Sequence, residues 1–251
     1  MFNAAEAVET MDGWYTLHDF RKVDWSAWQS ASEEERQQAL AEFEDLLTSW
    51  EKVETQQEGS HGLFQIIGQK ADLMLIWLRP TMEDLAATEL ALNKSLFGRF
   101  LQPTHSHLSV VELSKYQPSR NGVDPETLPE TQARLKPQLP DWQYVSFYPM
   151  SRKREAVDNW YSLSKGIRSK LLYDHSLTGR KYSGKVKQII TGSIGFDEHE
   201  WGVTLFAHDA IELKKIVYEM RFDVATARYG EFADFYIGMR LNKESLPAFL
   251  A

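Results

Sequence analysis

Apolar residues recur along this chain with two periods, one near two residues and one near 3.6, which indicate strands and helices respectively. In the first part of the chain, strands are predicted at residues 14–20, 62–68, 73–78 and 108–116. Helices are predicted after Ser32 and Thr81, because each begins a Ser/Thr-x-x-Glu/Asp capping pattern ahead of leucines at helical spacing. The predicted order is βαββαβ.

The same order returns in the second part of the chain. Strands are predicted at 142–150, 185–191, 201–207 and 229–241, with Phe235, Ile237, Met239 and Leu241 alternating in the last one. A helix is predicted after Asp158 as its N-cap and another at about 210–220. Each βαββαβ series is a ferredoxin-like unit. Two such units in one chain predict an α+β fold, a dimeric α+β barrel with its helices outside.

A proline-rich segment separates the two series. Five of the nine prolines fall within residues 117–141, and proline fixes φ and removes a backbone donor, so this stretch is predicted to be a connector. The predicted organisation is therefore an N-terminal ferredoxin-like half (1–117), a connector (118–141) and a C-terminal ferredoxin-like half (142–251).

Composition narrows the function classes. The 251 residues include no cysteine, which excludes disulfides, zinc–thiolate sites, thiol catalysis and iron–sulfur clusters, and is consistent with a cytoplasmic protein. A net charge of −8 argues against a dedicated nucleic-acid-binding protein. No apolar run approaches the ~18–20 residues of a membrane span, and no secretion signal is apparent at the start of the chain.

A basic segment, residues 151–188, stands out in this acidic chain. It carries ten Lys or Arg and three acidic residues, so its local charge is +7. A local charge opposite to that of the whole protein attracts an anionic ligand to one place. We therefore expect an anion-binding region here. Its cations are Arg152, Lys153, Arg154, Lys165, Arg168, Lys170, Arg180, Lys181, Lys185 and Lys187.

Three residues in or beside the basic segment are candidates for chemistry. His175 falls on the stripe of Trp160, Ile167 and Leu171 in the predicted helix, and is either a satisfied core imidazole, the commoner case, or a ligand to a buried group. Tyr148 shares a strand face with Met150 and Arg152, where packing is the usual role. Gln188 lies in an apolar row, where an amide usually bonds to nearby backbone. His105-x-His107 is a weaker metal-binding pair, without ligand carboxylates nearby.

Taken together, these residues describe one pocket. An imidazole beneath a flat ligand, an amide above it, a tyrosine at its rim and several cations for carboxylates suit a porphyrin that bears propionates.

The motifs of this region resemble those of the coproheme decarboxylases, the haem-synthesising branch of the chlorite-dismutase-like family. The resemblance is dense in the second half of the chain, and in the first half rests on residues 109–114 (SVVELS) and element order. The matching segments are 148–154 (YPMSRKR), 158–161 (DNWY), His175, 179–193 (GRKYSGKVKQIITGS), 200–206 (EWGVTLF) and 218–223 (YEMRFD).

The resemblance implies a homopentamer of dimeric α+β barrels with the porphyrin in the C-terminal half. It implies that two propionates of iron coproporphyrin III (coproheme) become vinyl groups, giving haem b, with hydrogen peroxide as the oxidant, so the iron porphyrin is both substrate and cofactor. A ferrochelatase is a possible transient partner.

Carried over by position, the resemblance implies that His175 binds the iron, that Tyr148 is oxidised to a radical, and that Gln188 is the distal glutamine. Arg134, Met150 and Arg221 match contacts to the propionates, with Tyr148 itself beside them. Arg152 replaces a usual lysine, so either Arg152 holds the propionate without giving a proton or Lys153 reaches it. Thr226 replaces a usual serine, Lys115 a usual asparagine and His107 a usual tyrosine.

Two other functions remain open at this point. Chlorite dismutase or haem peroxidase activity is one alternative, but chlorite dismutation goes with a distal arginine, where this chain has Gln188. A non-catalytic haem carrier or sensor is the other, since it needs His175 and the pocket but has no use for Tyr148.

Overall fold

The structure is a computed structural model that describes residues 6–116 and 124–251. Residues 117–123, with which the predicted connector begins, lie outside the described residues. The strands are β1 (Thr10–Val23), β2 (Ser60–Ile67), β3 (Leu73–Arg79), β4 (Leu101–Ser114), β5 (Tyr144–Arg152), β6 (Val186–Gly192), β7 (Trp201–Ala207), β8 (Gly230–Phe232) and β9 (Tyr236–Leu241). The helices are α1 (Trp25–Ser30), α2 (Glu33–Thr55), α3 (Met82–Lys94), α4 (Pro129–Leu135), α5 (Lys165–Arg180), α6 (Ala210–Met220), α7 (Val224–Tyr229) and α8 (Leu246–Leu250).

The chain divides into two compact units. The first comprises the described residues up to Gly13, Ser109–Leu135 and Trp142–Phe235, and the second comprises Trp14–Leu108, Lys136–Asp141 and Tyr236–Ala251. These limits differ from the predicted halves, because the last strand, β9, pairs with β2 and so groups with the first part of the chain.

The second unit contains antiparallel strands in the order β1, β3, β2, β9. Both predicted capping patterns are confirmed here, since the Ser32 hydroxyl accepts from the Glu35 amide and the Thr81 hydroxyl from the Asp84 amide. The buried face of α2 packs Phe43 and Trp50 against one another, and Trp50 contacts Trp77 of β3. Edge-to-face packing of these large rings forms the centre of this unit's core.

The first unit contains β5, β6 and β7, with β7 antiparallel to both β5 and β6. Helix α6 packs on these three strands through Leu213 and Ile216, which share a buried cluster with Tyr148. Helix α5 packs on α6 and α7. One face of this sheet therefore lies under α6, with α5 packed on α6 and α7 packed on α5.

Pairing in this sheet decides which side chains share a face. Opposite residues of antiparallel strands point to the same side, so Tyr148, Val203 and Ile190 form one row across β5, β7 and β6. Ser146, Leu205 and Gln188 form the next row, and Met150, Trp201 and Gly192 lie on the other side of the Tyr148 row. Residues Tyr148, Met150 and Gln188 thus belong to a single sheet face.

The start of α5 differs from the prediction. The helix begins at Lys165 with Ser164 as its N-cap, whereas the Asp158 carboxylate accepts hydrogen bonds from Arg228. Asn159 caps a separate 3-10 turn, Trp160–Ser162. Trp160 is therefore not on α5, and Ile167 is 51% exposed, so the predicted stripe through His175 is not a core stripe.

Two further predictions are wrong in detail. Residues 229–241 are not one strand, because Tyr229 ends α7 and the chain then forms β8 and β9 separately. The connector was predicted not to form a packed element, but its described part contains α4, which Pro129 begins and in which Thr131 and Leu135 are buried. Proline is tolerated at the first position of a helix, where the amide needs no partner.

No helix among the described residues is long and apolar enough to cross a membrane.

Candidate functional site

His175 is held by two residues from the beginning of α7. Its Nδ1 lies 2.9 Å from Oδ2 of Asp223 and 3.3 Å from the Thr226 hydroxyl, which itself lies 3.0 Å from the same carboxylate oxygen. Asp223 also caps α7, since its Oδ1 accepts from the Thr226 amide. With Nδ1 engaged in this way, Nε2 is the ring nitrogen that remains for a ligand, and the side chain is 25% exposed.

The charge state of Asp223 follows from these contacts. Burial raises the pKa of this carboxyl, but the hydrogen bonds from His175 and Thr226 and the charge of the imidazole outweigh burial, so the net pKa is lowered. Asp223 is therefore an ionised acceptor at neutral pH. A carboxylate behind an imidazole fixes its tautomer and orientation and raises the basicity of the other nitrogen.

Tyr148 lies in an aromatic cluster on β5. Its ring stacks on Phe235 with centroids 4.4 Å apart and contacts Phe232 at 5.7 Å. The side chain is buried, and burial raises its pKa against the opposing charge of Arg221, so the phenol is neutral at ordinary pH. The guanidinium carbon of Arg221 lies 3.8 Å from the centroid of Phe232. Tyr148 and Arg221, which the sequence placed in one site, are thus brought together through Phe232.

Met150 and Gln188 lie on the same sheet face. Met150 pairs across the strands with Trp201 and Phe232 and is half-buried, while Gln188 is exposed next to Ile190, which is 38% exposed. Helix α6 covers part of this face, and where the face stays exposed, at Gln188 and Ile190, a neutral amide and an apolar residue offer a surface on which a flat, largely apolar ligand can pack.

Arg152 does not have a free guanidinium. Its Nη1 donates to the Ala225 carbonyl at 2.8 Å, its guanidinium carbon lies 4.6 Å from the centroid of Trp160, and the side chain is 8% exposed. Its backbone amide donates to Glu200 at 2.7 Å. Lys153 points elsewhere, with Nζ 3.5 Å from the Glu155 carboxylate. The two cations that were predicted to compete for a propionate are therefore both engaged within the protein.

About half of the cations of the basic segment are paired with carboxylates. Arg154 lies 4.0 Å from Glu200, Lys185 lies 3.8 Å from Glu212, and Lys181 pairs with Glu219. Arg168 is buried and donates to the Glu6 carbonyl. The value of +7 counts only residues 151–188 and leaves out the carboxylates of other segments that pair with these cations. It therefore overstates the positive potential that a ligand meets here.

Arg134 is set apart from the other predicted site residues. It is exposed in the last turn of α4, and within the described residues no hydrogen bond or ring contact joins it to His175, Tyr148 or Arg221. Its role as a propionate contact stays a prediction.

Sequence reasoning missed the role of Asp223. The residue closed a matched motif, but its position as an N-cap three residues before Thr226 was not used. That Asp-x-x-Thr spacing predicts a helix start at which one carboxylate oxygen of the Asp accepts from the backbone amide of the Thr, so that the other carboxylate oxygen can bind a second group. Phe232 and Phe235, which surround Tyr148, were assigned to a continuous strand and were missed for that reason.

The donor set fits a haem-type iron. A porphyrin supplies four nitrogens and needs one protein ligand, which the Nε2 of His175 offers, whereas a protein-only metal site needs several. Within residues 6–116 and 124–251, no group of three or more His, Cys, Asp or Glu is arranged to hold a metal ion. His105 and His107 are therefore not part of such a group.

Comparison with known proteins agrees with this geometry. The family model described as chlorite dismutase matches residues 36–241. The chain belongs to the chlorite dismutase family. In this family, the coproheme decarboxylase of Oceanobacillus iheyensis is 50% identical over 247 residues, 98% of this chain and 99% of that protein.

Solved structures of the chlorite dismutase family have the same α+β fold. A haem-binding protein from Thermus thermophilus is 44% identical, with a TM-score of 0.94 and 99% of both chains covered. A variant of the chlorite dismutase from Candidatus Nitrospira defluvii is 18% identical, with a TM-score of 0.75 and 96% of both chains covered, which shows the fold alone. The predicted fold class and family are confirmed.

Proposed function

We propose that this protein is a coproheme decarboxylase, which converts two propionates of iron coproporphyrin III to vinyl groups and so makes haem b. The observation that carries the proposal is a neutral, buried phenol, Tyr148, on the sheet face that also carries Gln188 and Met150. The carboxylate-backed His175 and the 50% identity to a coproheme decarboxylase support it.

The porphyrin is held in this proposal by residues of the first unit. Nε2 of His175 would hold the iron, Gln188 would be a neutral polar contact to the bound ligand, and Arg221, Arg134 and Met150 would meet its propionates. Thr226 acts through His175 instead, because its hydroxyl lies on Nδ1 of that residue. The iron macrocycle, which peroxide oxidises, supplies the oxidising power for the reaction.

Tyr148 carries the reaction to the propionate. Its phenol gives up an electron and a proton, and the resulting radical takes a hydrogen atom from the β-carbon of the propionate side chain. The resulting carbon radical then loses a second electron, which the peroxide-oxidised macrocycle takes up, and the carboxyl carbon leaves as carbon dioxide as the vinyl double bond forms. For each propionate, –CH2CH2COO⁻, H2O2 and one H⁺ become –CH=CH2, CO2 and two H2O.

A direct test loads the protein with iron coproporphyrin III under anaerobic conditions and titrates it with peroxide. Mass spectrometry of the porphyrin is expected to show loss of two carboxyl groups. Stable binding with no loss of carboxyl groups would contradict the proposal and favour a haem carrier.

Chlorite dismutation is the second candidate, because the fold is that of the chlorite dismutases. The neutral amide of Gln188 argues against it, since an amide does not hold an oxychlorine anion as a guanidinium does. Measurement of oxygen release from chlorite distinguishes the two activities, and rapid release would favour dismutation.

The resemblance also supports a homopentameric assembly, a cytoplasmic setting and transient contact with a ferrochelatase. Sedimentation velocity of the purified protein measures the assembly, and a sedimentation coefficient expected of the monomer would contradict it.

A further inference from the structure

Two contacts of the buried guanidinium of Arg152 lead to α7. It donates to the carbonyl of Ala225 and lies over the ring of Trp160. Trp160 in turn packs edge-to-face on Tyr229, with centroids 5.6 Å apart, and Tyr229 is the last residue of α7. Burying a guanidinium is costly unless its donors are used, so this residue is placed here by those contacts.

Helix α7 also carries the partners of His175. Asp223 is its N-cap, Thr226 lies in its first turn, and Ala225, whose carbonyl Arg152 holds, lies between the two. Arg152 therefore binds the same turn that presents a carboxylate and a hydroxyl to Nδ1 of the imidazole. Burial lowers the pKa of Arg152, and among the charges that oppose this effect the Asp223 carboxylate is the strongest.

We propose that Arg152 is a positioning residue for His175, which keeps the first turn of α7 in place so that Asp223 and Thr226 stay on Nδ1. This proposal rests on the proposed function, because it concerns how strongly His175 donates to a porphyrin iron. A carboxylate that moves away from an iron-bound imidazole lowers the basicity of the ring and weakens its bond to the iron.

The test measures the iron–histidine bond directly. Resonance Raman spectra are recorded for the ferrous iron coproporphyrin complexes of the parent, Arg152→Gln, Asp223→Asn and the double variant. Asp223→Asn is expected to shift the iron–histidine stretching band to lower frequency, and Arg152→Gln to give at least half of that shift. In the double variant, the band is expected at the same frequency as in Asp223→Asn alone. The second substitution adds no further shift because Arg152 acts through Asp223.

Arg154→Gln is the matched control. Arg154 lies two residues further along, is 69% exposed and faces Glu200, not α7, so its loss is expected to leave the band unmoved. A band unmoved in Arg152→Gln, together with weaker affinity for iron coproporphyrin, would overturn the proposal and make Arg152 a propionate ligand. A shift that persists undiminished in the Asp223→Asn background would overturn it as well.

Two further measurements distinguish a failure of the proposal from a failure of the variant to fold and from a failure of His175 to bind the iron. If Arg152→Gln does not fold, Arg152→Lys keeps the charge but loses the planar fork of donors, and the same shift is expected in it. If the parent itself forms no histidine-ligated ferrous complex, the proposed function fails, whatever the variants show.

Discussion

The chemistry of single residues in this protein depends on partners that are distant in sequence. His175 is a lone histidine in the sequence, and what marks it as a candidate ligand is Asp223, 48 residues away, on its Nδ1. Tyr148 is an ordinary strand tyrosine in sequence, and what keeps it protonated is burial among Phe232 and Phe235. Arg152 shows the reverse, because a residue that the sequence favoured for the substrate donates from Nη1 to a carbonyl group within the protein.

Tyr148→Phe is expected to reduce decarboxylation by about 100-fold or more, the size of effect that follows the loss of a group that moves a proton in the transition state. Phenylalanine keeps the stacking on Phe235, so affinity for iron coproporphyrin is expected to remain near that of the parent. Single-turnover mass spectrometry and porphyrin titration measure the two effects. Equal rates in variant and parent would refute the radical role of Tyr148.

His175→Ala is expected to remove the protein ligand of the iron. The Soret band of the bound porphyrin should then shift, and added imidazole should restore the parent spectrum by occupying the space of the missing side chain. Absorption spectra with and without imidazole measure this. A Soret band that is identical to that of the parent before imidazole is added would show that another residue binds the iron.

At the scale of elements, helices were predicted correctly where the capping residues or the spacing of apolar residues lay within one continuous segment of the sequence. The capping patterns at Ser32 and Thr81 and the limits of α6 were predicted from sequence and are confirmed. The start of α5 was wrong because Asp158 pairs with Arg228 while Ser164 caps the helix, and the predicted strand at 229–241 began too early because α7, which Asp223 caps, ends only at Tyr229. Such competition between partners is decided by tertiary contacts.

Gly13→Ala tests how closely two elements of the first unit approach. A β-carbon at Gly13 would collide with the backbone of Leu135, the last residue of α4, which also carries Arg134. Displacing α4 is expected to lower the free energy of unfolding by about 1–3 kcal/mol, as overpacking does, and to weaken iron coproporphyrin binding if Arg134 meets a propionate.

Gly166→Ala is the matched control for that substitution. Nothing lies within 4 Å of a β-carbon at Gly166, in the first turn of α5, so the change is expected to be neutral or to stabilise the helix. Urea denaturation measures both variants. A Gly13→Ala protein as stable as the parent would show that α4 adjusts without cost.

At the scale of the whole molecule, buried histidines tie stability to pH. Burial is the main cause that lowers the pKa of His18 well below its usual value and that of His61 to about 4. Both residues lie in the second unit, apart from His175. Between pH 6.5 and 4 the unfolded chain therefore binds more protons at these positions than the folded one, and stability falls as pH falls.

As pH falls, each histidine is expected to lower the free energy of unfolding by at most about 1.4 kcal/mol per pH unit. For the two together, the expected decrease between pH 6.5 and 5.5 is roughly 2–3 kcal/mol. Glu112 opposes it, because burial and then Asp12 raise its pKa, so the folded protein takes up a proton there. Urea denaturation at several pH values measures the slope. His61→Gln should reduce it, and a slope that is unchanged would contradict the assignment.

The amino-acid sequence by itself determined the α+β class, the repeated βαββαβ order and the motifs that relate the chain to the chlorite dismutase family, because periodicity, caps and motifs are local. It also identified His175, Tyr148 and Gln188 as the residues to examine. Only the tertiary structure decided that Asp223 and Thr226 contact the imidazole, that Arg152 donates to α7, and that β9 pairs with β2 of the predicted N-terminal half. These outcomes depend on which distant groups meet, because a buried charge or donor takes the partner that satisfies it best.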